Sequence, residues 1–123
     1  MPRDYRLYLQ DILAAIGAIR EYMQGQSLGT LVADRKTTDA VVRNLELVGE
    51  AVKSIPTEVK ERCPDVEWKK IAGLRDILVH QYFGIDLEIV WDVVQNKLPV
   101  LERQVRTILA EPPADTDRKT GEP

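Results

Sequence analysis

The only histidine of this 123-residue chain, His80, lies five residues after Arg75 and two residues before Tyr82. Imidazole is the one side chain whose ordinary pKa lets it both accept and donate a proton near neutral pH. Arginine keeps its proton, and its planar guanidinium fits a phosphate group. Together the two residues could cleave a phosphodiester without a metal, and the hydroxyl of Tyr82 could itself be modified.

One helix does not aim both groups at one phosphate. Each helical residue turns by about 100°, so Tyr82 lies nearly above Arg75 while His80 is about 140° away around the axis. A second helix or a second subunit would have to complete the site, which a symmetric dimer does easily. The pattern also fits a purely structural interpretation. In it His80 caps the helix end, Tyr82 packs with Phe83, and Arg75 forms an ordinary ion pair.

Composition points to one soluble domain, with 44% hydrophobic and 30% charged residues. The longest apolar run, Ile12–Ile19, is too short to cross a bilayer, and the early charges of Asp4 and Arg6 argue against a secretory signal. The single Cys63 cannot form an internal disulfide, and one cysteine with one histidine is too few for a zinc site. We therefore expect a cytoplasmic protein that uses no metal and no cofactor.

The charge balance of the chain does not indicate nucleic-acid binding. The 17 basic and 20 acidic residues give a net charge of −3, so any RNA-binding surface must be local. Short basic clusters that could form one occur at Arg35-Lys36, Lys69-Lys70 and Arg103/Arg106, although such clusters are usually solvated faces.

Apolar periodicity predicts four main helices, because apolar residues recur three and four positions apart. Gly25 suits the end of the first helix, Pro56 ends the second, and Asp86 is a plausible cap of the fourth. Pro99 falls within the fourth stripe, which keeps its phase, so we predict a kink or two helices meeting there. The third helix runs from about Trp68 to His80 or Tyr82. The stripes are Tyr5, Leu9, Ile12, Ile16, Ile19 and Met23; Val41, Leu45, Val48, Val52 and Ile55; Ile71, Leu74 and Leu78; and Leu87, Trp91, Val94, Leu98, Leu101, Val105 and Ile108.

These elements predict an all-α fold, an antiparallel four-helix bundle with short extra helical turns after Ser27 and at 57–62. Residues 1–110 would form the bundle. Residues 111–123 have no large apolar side chain, so we predict a disordered tail.

Two stretches of the chain resemble the HepT family, a branch of the HEPN superfamily also known as DUF86. The first is Asp39–Ala51, DAVVRNLELVGEA, and the second is Trp68–Asp86, WKKIAGLRDILVHQYFGID. The resemblance extends over about residues 5–110. It implies a HEPN-like bundle and the toxin of a toxin–antitoxin pair, a dimeric, metal-independent endoribonuclease.

The resemblance also implies roles for individual residues. Arg75 and His80 would form the active site, with the polar Asp76 beside them and Asn44 and Glu50 as supporting residues. The apolar periodicity alone would predict that Asn44 and Glu50 face solvent. The implied partner is an MntA-like nucleotidyltransferase that transfers AMP to Tyr82 and silences the toxin.

We expect a homodimer in which the third and fourth helices, with Trp91 and the loop Tyr82–Asp86, lie near the two-fold axis. The acidic balance keeps an alternative open. The chain could be a non-catalytic helical adaptor that binds a nucleotidyltransferase or a nucleotide.

Overall fold

The computed structural model describes residues 3–74, 76 and 86–111, and all the regular structure in those ranges is helical. The all-α bundle expected from the sequence is confirmed. The tail from residue 112 and the C-terminal part of the predicted third helix, residues 75 and 77 onward, lie outside the described residues. The helices are α1 (Tyr5–Met23), α2 (Leu28–Ala33), α3 (Arg35–Lys53), α4 (Thr57–Glu61), α5 (Trp68–Ala72), α6 (Leu87–Asp92) and α7 (Leu98–Ala110), with a π turn at Val93–Lys97.

Helix α1 begins and ends with capping groups that its sequence supplies. The Asp4 carboxylate accepts a hydrogen bond from the backbone N–H of Arg6, one of the donors that a helix start leaves unpaired. Gly25 follows the last turn with a φ of 77°, a left-handed conformation that favours glycine. Between these ends the predicted stripe is buried from Leu9 to Met23, with Tyr5 half-buried.

Helix α3 lies against α1 and supplies the other half of the central core. Its cap is Asp34, which accepts hydrogen bonds from the hydroxyl and the backbone N–H of Thr37. These bonds, the hydroxyl first, hold the pKa of the Asp34 carboxyl below its usual value. All five residues of the predicted stripe are buried, and each such side chain contributes roughly 1.5–3 kcal/mol through removal from water. They are Val41, Leu45, Val48, Val52 and Ile55.

The last helical stretch runs across Pro99 without a break. Asp86 caps α6, as predicted, by accepting hydrogen bonds from the N–H groups of Glu88 and Ile89. Proline has no N–H to donate, and its ring crowds the carbonyl four residues earlier. The wider π turn accommodates this, with the N–H of Leu98 bonded to the carbonyl of residue 93.

The π turn corrects the predicted stripe before Pro99. The residues expected to be buried there, Leu87, Trp91 and Val94, are only half-buried. Val90 and Val93 occupy the core instead. The π turn adds a residue between Val93 and Leu98, so the helix changes phase where the sequence pattern seemed continuous. From Leu98 onward the predicted positions Leu98, Leu101, Val105 and Ile108 are all buried.

Charged groups of α1 fix α7 at two points. The Arg20 guanidinium donates to both oxygens of Glu102, at 3.0 Å from Nη1 to Oε2, and Arg106 donates to the same carboxylate at 2.9 Å. The Arg6 Nη2 donates to the carbonyl of Leu109 at 2.7 Å, near the end of α7, where the backbone carbonyls lack partners within the helix. The two ends of the chain's described part are thus joined. None of the described helices is long and apolar enough to cross a membrane.

Candidate functional site

The three motif residues Arg75, His80 and Tyr82 lie outside the described residues, and the structure describes the scaffold on either side of them. Asp76, the polar residue after the arginine, is helical and exposed. On the N-terminal side the scaffold is α5 followed by the buried Leu74. On the C-terminal side it is the cap of α6.

Helix α5 is held in place by its tryptophan. The Trp68 indole Nε1 donates to the carbonyls of Lys60 and Cys63, at 3.1 and 3.0 Å. These bonds join α5 to α4, one of the short helical turns that the sequence predicts. The Cys63 thiol is buried, and burial raises its pKa, so it stays in its unreactive neutral form.

A glycine on α3 lets α5 pack unusually close. A Cβ placed on Gly49 would lie 3.0 Å from the backbone oxygen of Ile71 and 3.7 Å from that of Ala72. Both oxygens belong to the last residues of α5, only a few positions before the motif. Gly49 therefore sets the distance between the central core and the segment that carries the candidate chemistry.

The proposed supporting residues Asn44 and Glu50 lie in a groove between α1 and α3, which we call the α1/α3 groove. It has a volume of about 500 Å³ and is lined by Tyr8, Asp11, Ala14, Ala15, Asn44, Leu47, Glu50, Ala51 and Ser54. The sequence pattern predicted that Asn44 faces solvent, but the residue is half-buried. Its Nδ2 donates a hydrogen bond to the carbonyl of Ala40 at 2.9 Å. Glu50 is exposed and pairs with Lys53 at 3.4 Å.

A second groove lies between α4 and α5, which we call the α4/α5 groove. It has a volume of about 450 Å³ and is lined by Thr57, Lys60, Glu61, Val66, Glu67, Trp68, Lys69 and Lys70. The sequence flagged Lys69-Lys70 as a basic cluster but gave no signal that Lys60, nine residues earlier, shares its surface. Trp68 is half-buried and lines this groove.

Glu67 connects the start of α5 to the π turn. Its carboxylate lies 2.7 Å from the Lys97 ammonium and 3.7 Å from that of Lys70. The hydrogen bond from Lys97 holds the pKa of Glu67 below its usual value, and the same bond raises the pKa of Lys97. The residues the structure describes include no group of three or more His, Cys, Asp or Glu side chains placed to hold a metal ion.

Comparison with known proteins decides the family. The family model described as Ribonuclease HepT-like matches residues 12–108, a range that runs from within α1 to near the end of α7 and includes the motif. This chain belongs to the HepT-like ribonuclease family. The resemblance noted in the sequence is therefore confirmed.

Relatives of this HepT-like chain match along most of its length. A protein of Caldanaerobacter subterraneus named "Putative RNase TTE0752" is 44% identical over 104 residues, which are 85% of this chain and 93% of that protein. A "Probable ribonuclease HepT" of Thermococcus cleftensis is 39% identical over 102 residues, 83% of this chain and 93% of the relative. No solved structure was found to match the chain.

Proposed function

We propose that this HepT-like chain is a metal-independent endoribonuclease whose active residues are Arg75 and His80. The observation that carries the proposal is the family match across residues 12–108, within which the chain's only histidine follows an arginine by five positions. The scaffold described on both sides of this motif supports it, since α5 is fixed by hydrogen bonds and α6 by the Asp86 cap.

The proposed reaction is an internal attack within the RNA strand. The ribose 2′-oxygen bonds to the adjacent phosphorus, the bond from phosphorus to the 5′-oxygen breaks, and a 2′,3′-cyclic phosphate and a 5′-hydroxyl result. One His80 imidazole takes the proton of the 2′-hydroxyl, and a protonated imidazole of the second copy gives a proton to the departing 5′-oxygen. Arg75 stabilises the charge that builds on the phosphate oxygens.

We also propose that the chain is the toxin of a toxin–antitoxin pair in the cytoplasm. A nucleotidyltransferase antitoxin would silence it by modifying Tyr82. The tyrosine hydroxyl would attack the α-phosphorus of ATP and release pyrophosphate, leaving AMP on the ring. Because Tyr82 is two residues from His80, the added phosphate would compete for the Arg75 charge and block the cleft.

The test is cleavage of a mixed-sequence RNA by the purified chain in EDTA. Arg75→Ala and His80→Ala should each lower the rate by about 10²–10⁴, the usual contribution of a general acid or base. Lys36→Ala removes an exposed cation from α3 and should leave the rate unchanged. Unchanged cleavage in the His80 variant, with the fold retained by circular dichroism, would refute the catalytic role.

A second candidate, favoured by the net charge of −3, is a non-catalytic adaptor that binds the nucleotidyltransferase. It predicts tight partner binding with no cleavage of any RNA. Intact mass spectrometry adds an independent observation: co-expression with the partner should add AMP increments that Tyr82→Phe abolishes, whereas equal increments in that variant would remove Tyr82 as the modified residue.

A further inference from the structure

We infer that the α4/α5 groove is a docking surface for the RNA strand beside the scissile linkage, with Lys60 and Lys69 on phosphates and Trp68 under a base. This inference rests on the ribonuclease function proposed above and extends it to residues outside the motif.

Charge distinguishes the α4/α5 groove from the α1/α3 groove. Lys60, Lys69 and Lys70 line the α4/α5 groove, and its two acidic residues are Glu61 and Glu67. Glu67 is already matched by Lys70 and by the Lys97 ammonium across the π turn. The lining of this groove thus holds three lysines and two glutamates, a balance of +1 on a chain whose net charge is −3.

The α1/α3 groove has the opposite character. The charged residues that line it are the acidic Asp11 and Glu50, each paired with a cation outside the lining, Arg3 and Lys53. Its lining offers a polyanion no cation, whereas the lining of the α4/α5 groove offers three lysines. RNA binding needs positively charged groups. The chain as a whole has a negative net charge, but this one surface supplies them.

Two of the lysines are free to bind an anion. Within the described residues, neither Lys60 nor Lys69 has an acidic partner within ion-pair distance, and in each of the other basic clusters one residue, Arg35 or Arg106, is paired while its neighbour in the cluster is not. Arg35 lies 3.8 Å from Asp39, and Arg106 lies 2.9 Å from Glu102. A phosphate in the groove would not have to displace a carboxylate from Lys60 or Lys69.

Trp68 supplies the second half of single-strand recognition. Its N–H is already engaged by two backbone carbonyls, so the indole is held in a fixed position and offers apolar ring surface to the groove. Bases stack on aromatic rings with little sequence preference, because every base has a π face. A rigid indole between unpaired ammonium groups fits a single strand better than it fits an acidic peptide, which has nothing to stack.

The groove lies close to the motif along the chain. Lys69 is six residues before Arg75, so their Cα atoms are at most about 20 Å apart even if the chain between them were fully extended. A strand with its scissile phosphate at Arg75 would reach the groove within a few nucleotides. We expect the groove to raise the affinity for RNA without changing the rate of the chemical step.

The experiment uses a single-stranded RNA with 2′-O-methyl riboses, which binds but lacks the nucleophilic hydroxyl. Lys60→Gln with Lys69→Gln should weaken binding at least tenfold and reduce the slope of log affinity against log salt by about 1.4, the value for two lost phosphate contacts on a single strand. The matched control is Lys36→Gln with Arg103→Gln, which removes the same charge from exposed positions on α3 and α7.

Two further readouts separate docking from a general loss of structure. With cleavable RNA, the lysine variant should show a higher KM with kcat nearly unchanged. In a Trp91→Phe background, binding of the 2′-O-methyl strand should quench the fluorescence of Trp68, the tryptophan that remains.

Equal weakening in the control variant, or unchanged RNA binding together with lost binding of the nucleotidyltransferase partner, would overturn the inference. A chain that cleaves no RNA but still loses affinity for the methylated strand only through the groove lysines would contradict the proposed catalysis and support this docking surface.

Discussion

Glu102 illustrates how one carboxylate joins two helices. Its side chain is only 13% exposed, and it accepts hydrogen bonds from Arg20 on α1 and from Arg106 on its own helix. The bond from Arg20 contributes most to holding the pKa of Glu102 at about 2, below the ordinary 4.5. The charged form is therefore favoured by folding, and its stabilisation is complete above pH 4.5 and lost as the pH falls toward 2.

Glu102→Gln should lower the free energy of unfolding at pH 7 by roughly 1–2 kcal/mol, because both guanidinium groups lose their charged acceptor. The difference from the unmodified chain should shrink between pH 4.5 and pH 2, where Glu102 itself becomes neutral. Urea unfolding followed by circular dichroism at several pH values measures both effects. Glu21→Gln, an exposed α1 substitution, is the control. An equal loss in the two variants would mean that the network adds nothing.

The residue types of the candidate site could be recognised without coordinates, because one histidine and a nearby arginine are rare enough to stand out. Their roles stay a prediction, since Arg75, His80 and Tyr82 lie outside the described residues. The α4/α5 groove could not be recognised in this way. Lys60 and Lys69 come together only because α4 and α5 are tied by the Trp68 indole.

Among the helices, the contact between α3 and α5 depends on Gly49. The Ile71 and Ala72 oxygens that approach it are backbone atoms, so they cannot move without moving α5 itself. A side chain at this position would push α5, and the motif segment that follows it, away from the core.

Gly49→Ala should therefore destabilise the fold by about 1–3 kcal/mol, the usual cost of overpacking, and should also reduce RNA cleavage. Gly17→Ala is the matched control, because a Cβ there meets nothing within 4 Å and alanine is the better helix former. We expect that variant to gain up to about 1 kcal/mol. Thermal unfolding compares the two, and a neutral or stabilising Gly49→Ala would show that α5 yields without cost.

Helix α6 and the π turn after it show where periodicity misleads. The spacing of Leu87, Trp91 and Val94 continues smoothly into the residues after Pro99, yet Val90 and Val93 are the buried ones. Sequence pattern assumes a constant number of residues per turn, and the π turn at Val93–Lys97 breaks that assumption. Pro99 indicated that the helix would be irregular there. It did not indicate whether the irregularity would be a kink or a change of phase.

At the scale of the whole molecule, the proposed site needs two chains, because the helix predicted from the sequence would separate Arg75 from His80 around its axis. We predict a homodimer of about 28 kDa by light scattering, twice the 14.0 kDa of one chain. A monomer at micromolar concentration would contradict this assembly.

Mixed subunits test the sharing of the site. If each cleavage uses the His80 of both copies, re-associating equal amounts of unmodified and His80→Ala chains should leave about one quarter of the cleavage rate of the same number of unmodified chains. Only one quarter of the dimers would then carry both histidines. A rate of about one half would show that each His80 acts without its counterpart.

The sequence by itself determined the long helices α1, α3 and α7, the helix ends at Gly25 and Asp86, and the buried stripes of α1 and α3, because these follow from local hydrogen bonding and from a constant period. It also marked the chemistry, since residue type needs no coordinates. Only the tertiary structure decided the phase of α6, the close approach at Gly49 and the grouping of Lys60 with Trp68 and Lys69. Each of these depends on how distant segments fill the same space, which no local spacing records.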